Sequence, residues 1–281
     1  MTIVVGLIGK ESIVLASDSQ STYGVAKLLN ARKIGVVAFE NGTALVAQAG
    51  AAYPASRAVQ LFERKAKSLR VTDSESFIKA ARDSVLEVKH CLIEGQGGAA
   101  FSEDRREQFF RCDYYFKLMV AYYLNDQPFI FTIDSYDCLP VHLKSDYVAM
   151  GCGDTLAYYL LSEIVELGMP FTNCMARAIY VVEKVKQNVE GCGGSTCVGV
   201  VHNVPDSDDD YTAKVRRSKG LTLPYSSARV LDQNRISDIA RRLTDVDFKC
   251  RKDRNKQIIA MIQGVEADYQ NEWDESPEEV Q

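Results

Sequence analysis

A threonine stands directly behind the first methionine, and the chain opens Met1-Thr2-Ile3-Val4-Val5. Methionine aminopeptidases act when the second residue is small, so the expected mature chain begins with a residue that carries an α-amine and a β-hydroxyl together. The amine of a chain terminus has an ordinary pKa of about 7.7–8.0. A modest downward shift leaves it neutral at neutral pH and able to accept the hydroxyl proton, which puts nucleophile and base in one residue. Such a terminus works only if it is held. Ile3, Val4, Val5, Leu7 and Ile8 form an apolar run, Gly9-Lys10-Glu11-Ser12 a turn, and Ile13 to Ala16 a second run. The pattern predicts a buried hairpin whose first strand pins the terminus instead of letting it fray.

The remaining elements must position that hairpin. The chain has 281 residues, 46% of them hydrophobic, enough for one large domain with a sizeable core. Its net charge of −5 comes from 33 basic and 38 acidic residues without a long basic block, which argues against a nucleic-acid partner held through phosphates. No apolar stretch approaches the roughly 20 residues that a bilayer requires, and the N-terminus lacks the pattern of a secretory signal. The expectation is a cytoplasmic protein with no membrane partner. The eight cysteines are scattered without a CxxC pair and read as reduced thiols, and the three histidines lie far apart, so neither a metal nor another cofactor is expected.

Asn41-Gly42 between KIGVVAF and ALVAQ is a strong hairpin signal. Helical spacing follows over 53–69 and again from Thr72, where Thr72 and Glu75 fit a capping box. Residues 95–111 read as a polar loop. Strands are expected over 114–124, 129–134 and 141–150, helices over 155–167 and 172–189, and a strand over 196–202. Two helical stretches between 231 and 265 and an acidic, disordered end close the chain. Hairpin-linked strands with paired helices imply two antiparallel sheets face to face with a helix layer outside each, an α+β architecture. Residues 2–203 form the expected domain and 204–281 a partly helical C-terminal extension.

The strings TIVVGLIGKESIVLASDSQSTYG, ARKIGVV, ALVAQAGAA, AMGCGDTLAYYLL and CGGSTCVGVV, in this order and spacing, resemble the proteasome β-subunit family of N-terminal-nucleophile (Ntn) hydrolases over residues 2 to about 202. The opening is similar to that of the bacterial HslV-type peptidase. The resemblance implies a four-layer αββα sandwich and a threonine-type endopeptidase. It matches Thr2 to the nucleophile, Asp18 to the aspartate that orients the site, Lys33 to the lysine whose charge lowers the pKa of the neighbouring amine and hydroxyl, and Gly50 to the glycine whose N–H stabilises the tetrahedral oxyanion. Ser21, Gln48, Ala52 and Ser56 become candidates for the substrate pocket.

Two positions depart from the family pattern. Cys152, within Gly151-Cys152-Gly153, stands where a serine bonds the α-amine in many active members, and a thiol is the poorer hydrogen-bond partner. Val189 stands where an aspartate precedes Ser-Gly-Gly, with Asn188 and Glu190 as the neighbours that would compensate after a register shift. Cys152 and Cys192 read most simply as structural thiols; if both lie beside Thr2, the site becomes sensitive to oxidation. The resemblance further implies a ring-forming homo-oligomer that encloses Thr2, an unfolded polypeptide substrate bound extended beside the strand ending near Gln48, and an ATP-dependent unfoldase partner. The alternatives are a non-catalytic ring-forming subunit and an N-terminal-threonine amidase or transpeptidase.

Overall fold

The computed structural model describes residues 2–23, 26–95, 114–142, 145–204 and 225–249. Strand β1 (Ile3–Ile8) and strand β2 (Ser12–Asp18) form the expected hairpin, with Val4 opposite Ser17 and Ile8 opposite Ile13. Its turn is closed by the Gly9 N–H on the Ser12 carbonyl at 2.8 Å. The alternation works on both faces. Ile3, Val5, Leu7, Val14 and Ala16 enter one apolar cluster, while Val4, Ile13 and Leu15 enter another. Both faces being buried explains why these strands read as unbroken apolar runs, and each fully buried Val, Ile or Leu contributes about 1.5–3 kcal/mol.

A small hairpin of β3 (Ser21–Tyr23) and β4 (Ala26–Leu28) stands apart from the main sheet. The hairpin that Asn41-Gly42 signals is present, β5 (Ile34–Phe39) turning into β6 (Gly42–Gly50), but its turn is Glu40-Asn41, one residue earlier, with Gly42 already paired to Phe39. Helix α1 (Ala52–Ala66) buries Ala55, Ala58, Leu61, Phe62 and Ala66 along one stripe. Helix α2 (Ser74–Gly95) starts differently from the expected capping box: the side chain of Asp73, not Thr72, accepts the Ser76 N–H at 2.7 Å. Asp73 offers a carboxylate to the positive end of the helix, a stronger acceptor there than a hydroxyl. Both helices pack on β6, β7 (Phe116–Leu124) and β8 (Gln127–Asp134) around Phe77, whose ring lies 4.8–5.1 Å from those of Phe39, Phe62 and Tyr122.

Strand β9 (Pro140–His142) pairs with β8, and β10 (Tyr147–Gly151) returns to β1 with Gly151 opposite Ile3. Helices α3 (Asp154–Ile164) and α4 (Phe171–Asn188) cover the outer face of β1 and β2. Strand β11 (Thr196–Val204) pairs with β2, Thr196 opposite Asp18. The segment after it holds one expected and one unexpected element. Helix α5 (Gln233–Lys249) buries Ile236, Ile239, Ala240 and Leu243 in the cluster of α4. Strand β12 (Tyr225–Val230), absent from the sequence reading, pairs with β11 and meets β6 through a parallel bridge between Ser226 and Gly42. That bridge joins what were expected to be two separate sheets into one ten-stranded sheet, nine strands in a single hydrogen-bonded path and β5 paired to β6 beside it. The fold is α+β, and its pairings along the path are antiparallel except at this junction. The expected loop after Gly95, the helical stretch around Ile258 to Val265 and the acidic end lie outside the described residues.

Candidate active site

Asp18 ends β2, a strand paired on both sides, and its carboxylate is wholly buried. A buried carboxylate must be both paired and hydrogen-bonded, and this one is. Its Oδ1 accepts the Ile3 N–H at 3.0 Å and the Lys33 ammonium at 2.7 Å. Its Oδ2 accepts the N–H groups of Gly193 at 3.1 Å and Gln20 at 3.3 Å. Lys33 is as enclosed as its partner, its side chain 4% exposed. It stands just before β5, and its carbonyl accepts the Gln48 N–H of β6 at 3.0 Å. One ion pair thus ties the β1–β2 hairpin to the β5–β6 hairpin.

Thr2 is 4% exposed, one residue before the Ile3 amide that Asp18 holds. Its carbonyl accepts the Cys152 N–H at 2.9 Å, which continues the β1–β10 ladder by one residue. The close approach requires a glycine at 151: φ there is +113°, and a Cβ would land on the Thr2 carbonyl oxygen. Gly151-Cys152-Gly153 then leads into α3, with Gly153 at its N-cap.

The Cys152 sulfur lies 3.4 Å from the Thr2 carbonyl oxygen and 3.3 Å from the sulfur of Cys192. As a thiol, Cys152 donates to Thr2; as a thiolate, it accepts from Cys192. The hydrogen bond from Cys192, against the opposing effect of burial, holds the Cys152 thiol well below its ordinary pKa, and Cys192, which keeps the proton, is pushed up.

The structure therefore brings Thr2, Asp18, Lys33 and Cys152 into one connected cluster. Gly50 is two residues beyond the Gln48 amide that bonds Lys33, about 7 Å along β6. It has φ +94° where β6 turns toward α1, and the next amide, Ala51 N–H, bonds the Tyr115 carbonyl at 2.8 Å. Gln48 and Ser56 meet through their side chains at 3.3 Å, and Ala52 opens α1 beside them. Ser21 sits in the separate hairpin opposite Leu28, half-buried.

Sequence reasoning missed the role of the loop 191–194. Besides the Gly193 N–H on Asp18, the Gly193 carbonyl accepts the N–H groups of Ser19 and Gln20, and the Gln20 side chain donates to the Gly191 carbonyl at 3.2 Å. Gly193-Gly194 stands before the last apolar run of the sequence, and nothing local links it to Asp18. Neither proposed substitute for the missing aspartate joins the cluster. Asn188 donates to the Lys184 carbonyl at 2.7 Å on the exposed end of α4, and Glu190 is exposed. Among the described residues no group of three or more His, Cys, Asp or Glu side chains is arranged to hold a metal ion, and no helix is long and apolar enough to cross a membrane.

Among solved structures the fold is similar to Anbu (ancestral beta-subunit) from Yersinia bercovieri, at TM-score 0.62 and 13% identity over 88% of this chain and 95% of that one. It is also similar to Anbu from Hyphomicrobium sp. strain MC1, as a Gly-1 mutant (TM-score 0.61, 11% identity, 89% and 96% covered) and in a further structure (TM-score 0.58, 10% identity, 88% and 95% covered). No protein-family model and no curated protein matches the sequence. These findings correct the assignment read from the sequence. Membership of the proteasome β-subunit family, with an HslV-type opening, has no support from any family model, and the likeness to the Anbu structures is one of fold. Short strings in the right order mark the strands and turns that such a fold needs, so they carry the architecture further than the lineage.

Proposed function

We propose that this chain is an N-terminal threonine hydrolase that cleaves amide bonds in extended polypeptide, with Thr2 exposed by removal of Met1. The observation that carries the reading is the shared carboxylate oxygen of Asp18, which holds the peptide adjoining Thr2 and the Lys33 ammonium at 3.0 and 2.7 Å. A buried cation fixed this close to the start of β1 favours the neutral, proton-accepting form of a Thr2 α-amine and stabilises an ionising hydroxyl. In the reaction the Thr2 hydroxyl oxygen attacks the substrate carbonyl carbon while the amine takes its proton. Collapse of the tetrahedral intermediate breaks the C–N bond, the proton passes to the leaving amine, and water then cleaves the acyl ester to regenerate Thr2. The Gly50 N–H is the donor to the oxyanion, and Cys152 takes the place of a hydroxyl beside the terminus, with the weaker hydrogen bonding of a thiol. Gln48, Ala52 and Ser56 line the pocket for the side chain preceding the cleaved bond; Ser21, on its own hairpin, borders the approach.

The three apolar clusters support a four-layer αββα sandwich, with the cluster of Val4, Leu15, Leu45 and Met119 between the sheets and one cluster under each helix layer. Tyr158, Tyr159 and Leu167 are exposed around α3 and favour a ring-forming homo-oligomer; an ATP-dependent unfoldase would deliver folded substrates. A second reading, a non-catalytic subunit of such a ring, is favoured by the thiol at 152 and the near-complete burial of Thr2. Intact-mass measurement of the purified protein before and after a peptide epoxyketone separates the two. Loss of Met1 with an adduct on Thr2 is expected; retained Met1 with no adduct overturns the hydrolase reading.

A further inference from the structure

The geometry points to Cys152 and Cys192 as a reversible modification site, a dithiol that peroxides convert to an intramolecular disulfide. The two sulfurs come from separate elements, Cys152 from the turn between β10 and α3 and Cys192 from the loop between α4 and β11, and stand 3.3 Å apart. Closing to a disulfide bond length requires an approach of about 1.2 Å. The pair is asymmetric in access: Cys152 is exposed, while Cys192 is 7% exposed behind it. An accessible attacking sulfur backed by a protected resolving one is the arrangement that favours a disulfide over further oxidation. Cys152 also lies one residue before the N-cap of α3, where the positive end of the helix favours a thiolate.

The remaining described cysteines lack this arrangement. Cys138 donates to the Ser135 carbonyl at 3.6 Å and Cys174 to the Met169 carbonyl at 3.8 Å, both buried, and burial pushes the Cys174 thiol up to about 12. Cys197 contacts the Gln233 side chain at 3.4 Å. Cys91 is exposed on α2, away from the pair.

The chemistry balances with a hydroperoxide as the oxidant. The Cys152 thiolate attacks the outer peroxide oxygen, the O–O bond breaks, and the products are a sulfenic acid and the alkoxide or hydroxide, which takes a proton. The Cys192 sulfur then attacks the sulfenic sulfur, the S–O bond breaks, and the Cys192 proton leaves with the hydroxyl as water. Two thiols are oxidised by two electrons and one peroxide bond is reduced. The disulfide has neither a proton to donate to the Thr2 carbonyl nor a thiolate charge to place beside the terminus, while the Cys152 N–H contact to that carbonyl need not change.

The test treats the whole chain with a small excess of hydrogen peroxide, alkylates free thiols with N-ethylmaleimide, and maps the peptides. A Cys152–Cys192 linked peptide is expected, with an intact mass lower by about 2 Da that returns on treatment with dithiothreitol. Alkylation of both residues after peroxide, or sulfinic acid on Cys152 beside a free Cys192, overturns the proposal. Cys192→Ser, checked for its circular dichroism, should leave a sulfenic acid on Cys152 that dimedone captures, whereas the wild type gives little adduct; equal adduct in both overturns the resolving role. The mapping arm needs no variant and no activity. A further consequence, reversible loss of amide hydrolysis in the oxidised protein, rests on the proposed function, so a disulfide without any hydrolysis in the reduced protein would remove that reading and leave this one standing.

Discussion

Replacing Lys33 by methionine removes the cation from a carboxylate that has no access to water. The two groups are 2.7 Å apart, with side chains 4% and 0% exposed. Removing one member of a buried pair costs about 3–5 kcal/mol, because the remaining charge is left uncompensated. Asp18 still receives the N–H groups of Ile3, Gln20 and Gly193, which places Lys33→Met near the lower end, about 3 kcal/mol. That is a large share of a total of about 5–15 kcal/mol. With a urea m-value of about 3 kcal/mol/M, it moves the unfolding midpoint down by about 1 M. The double variant Lys33→Met, Asp18→Asn removes both charges, and its loss should fall short of the sum of the single losses by about 2 kcal/mol. Reaction of Thr2 with an epoxyketone should slow by about 10² or more in either variant. A midpoint shift under about 0.3 M, with unchanged labelling, would refute the role given to this pair.

Two further outcomes follow from the same framework. Gly151→Ala forces a Cβ onto the Thr2 carbonyl at φ +113° and should cost about 3 kcal/mol or more, measured by urea unfolding, and abolish labelling of Thr2; a neutral effect would mean that β10 does not hold the terminus. His202 on β11 packs its ring against Phe171 at 5.0 Å, and burial, with Arg229 adding to it, lowers its pKa to about 4. Above the unfolded value of about 6.5 neither state binds this proton. As the pH falls from there toward 4, the unfolded chain binds it and the native protein does not, so stability drops. Between about pH 7.5 and about pH 5.5 the loss is about 1.3 kcal/mol before any screening at the partly exposed ring, and His202→Phe should flatten the curve over that range.

Periodicity and turn chemistry made the hairpins legible. Val4 to Leu15 could be read because both faces of β1 and β2 are apolar, and the β5–β6 hairpin because Asn-Gly between two apolar runs signals one, although the turn itself falls one residue earlier, on Glu40-Asn41. Strand β12 was not legible: Tyr225-Ser226-Ser227-Ala228-Arg229-Val230 carries little apolar signal, and its pairing comes from β11 on one side and β6 on the other. The helix start at Asp73 was missed by one residue because adjacent Thr72 and Asp73 are both good caps. At the site, Thr2 was singled out by its own chemistry, and Asp18, Lys33 and Gly50 came from resemblance. The Gly193 amide on Asp18 and the nearness of Cys152 to Cys192 are tertiary facts, separated by 175 and 40 residues, and no local pattern encodes them.

Those separations bear on how the molecule is made. The Asp18 carboxylate lacks its Gly193 donor, and Thr2 its Cys152 partner, until chain 175 and 150 residues further on has been synthesised. At about 5–20 residues per second, the first hairpin leaves the ribosome roughly 10–40 s before the loop that completes its surroundings. During that interval β2 has no β11 beside it and presents an unpaired edge. Such non-local closure is slow, and it acts as a timer. The threonine at the start of the chain meets its full set of neighbours only when most of the protein is already built.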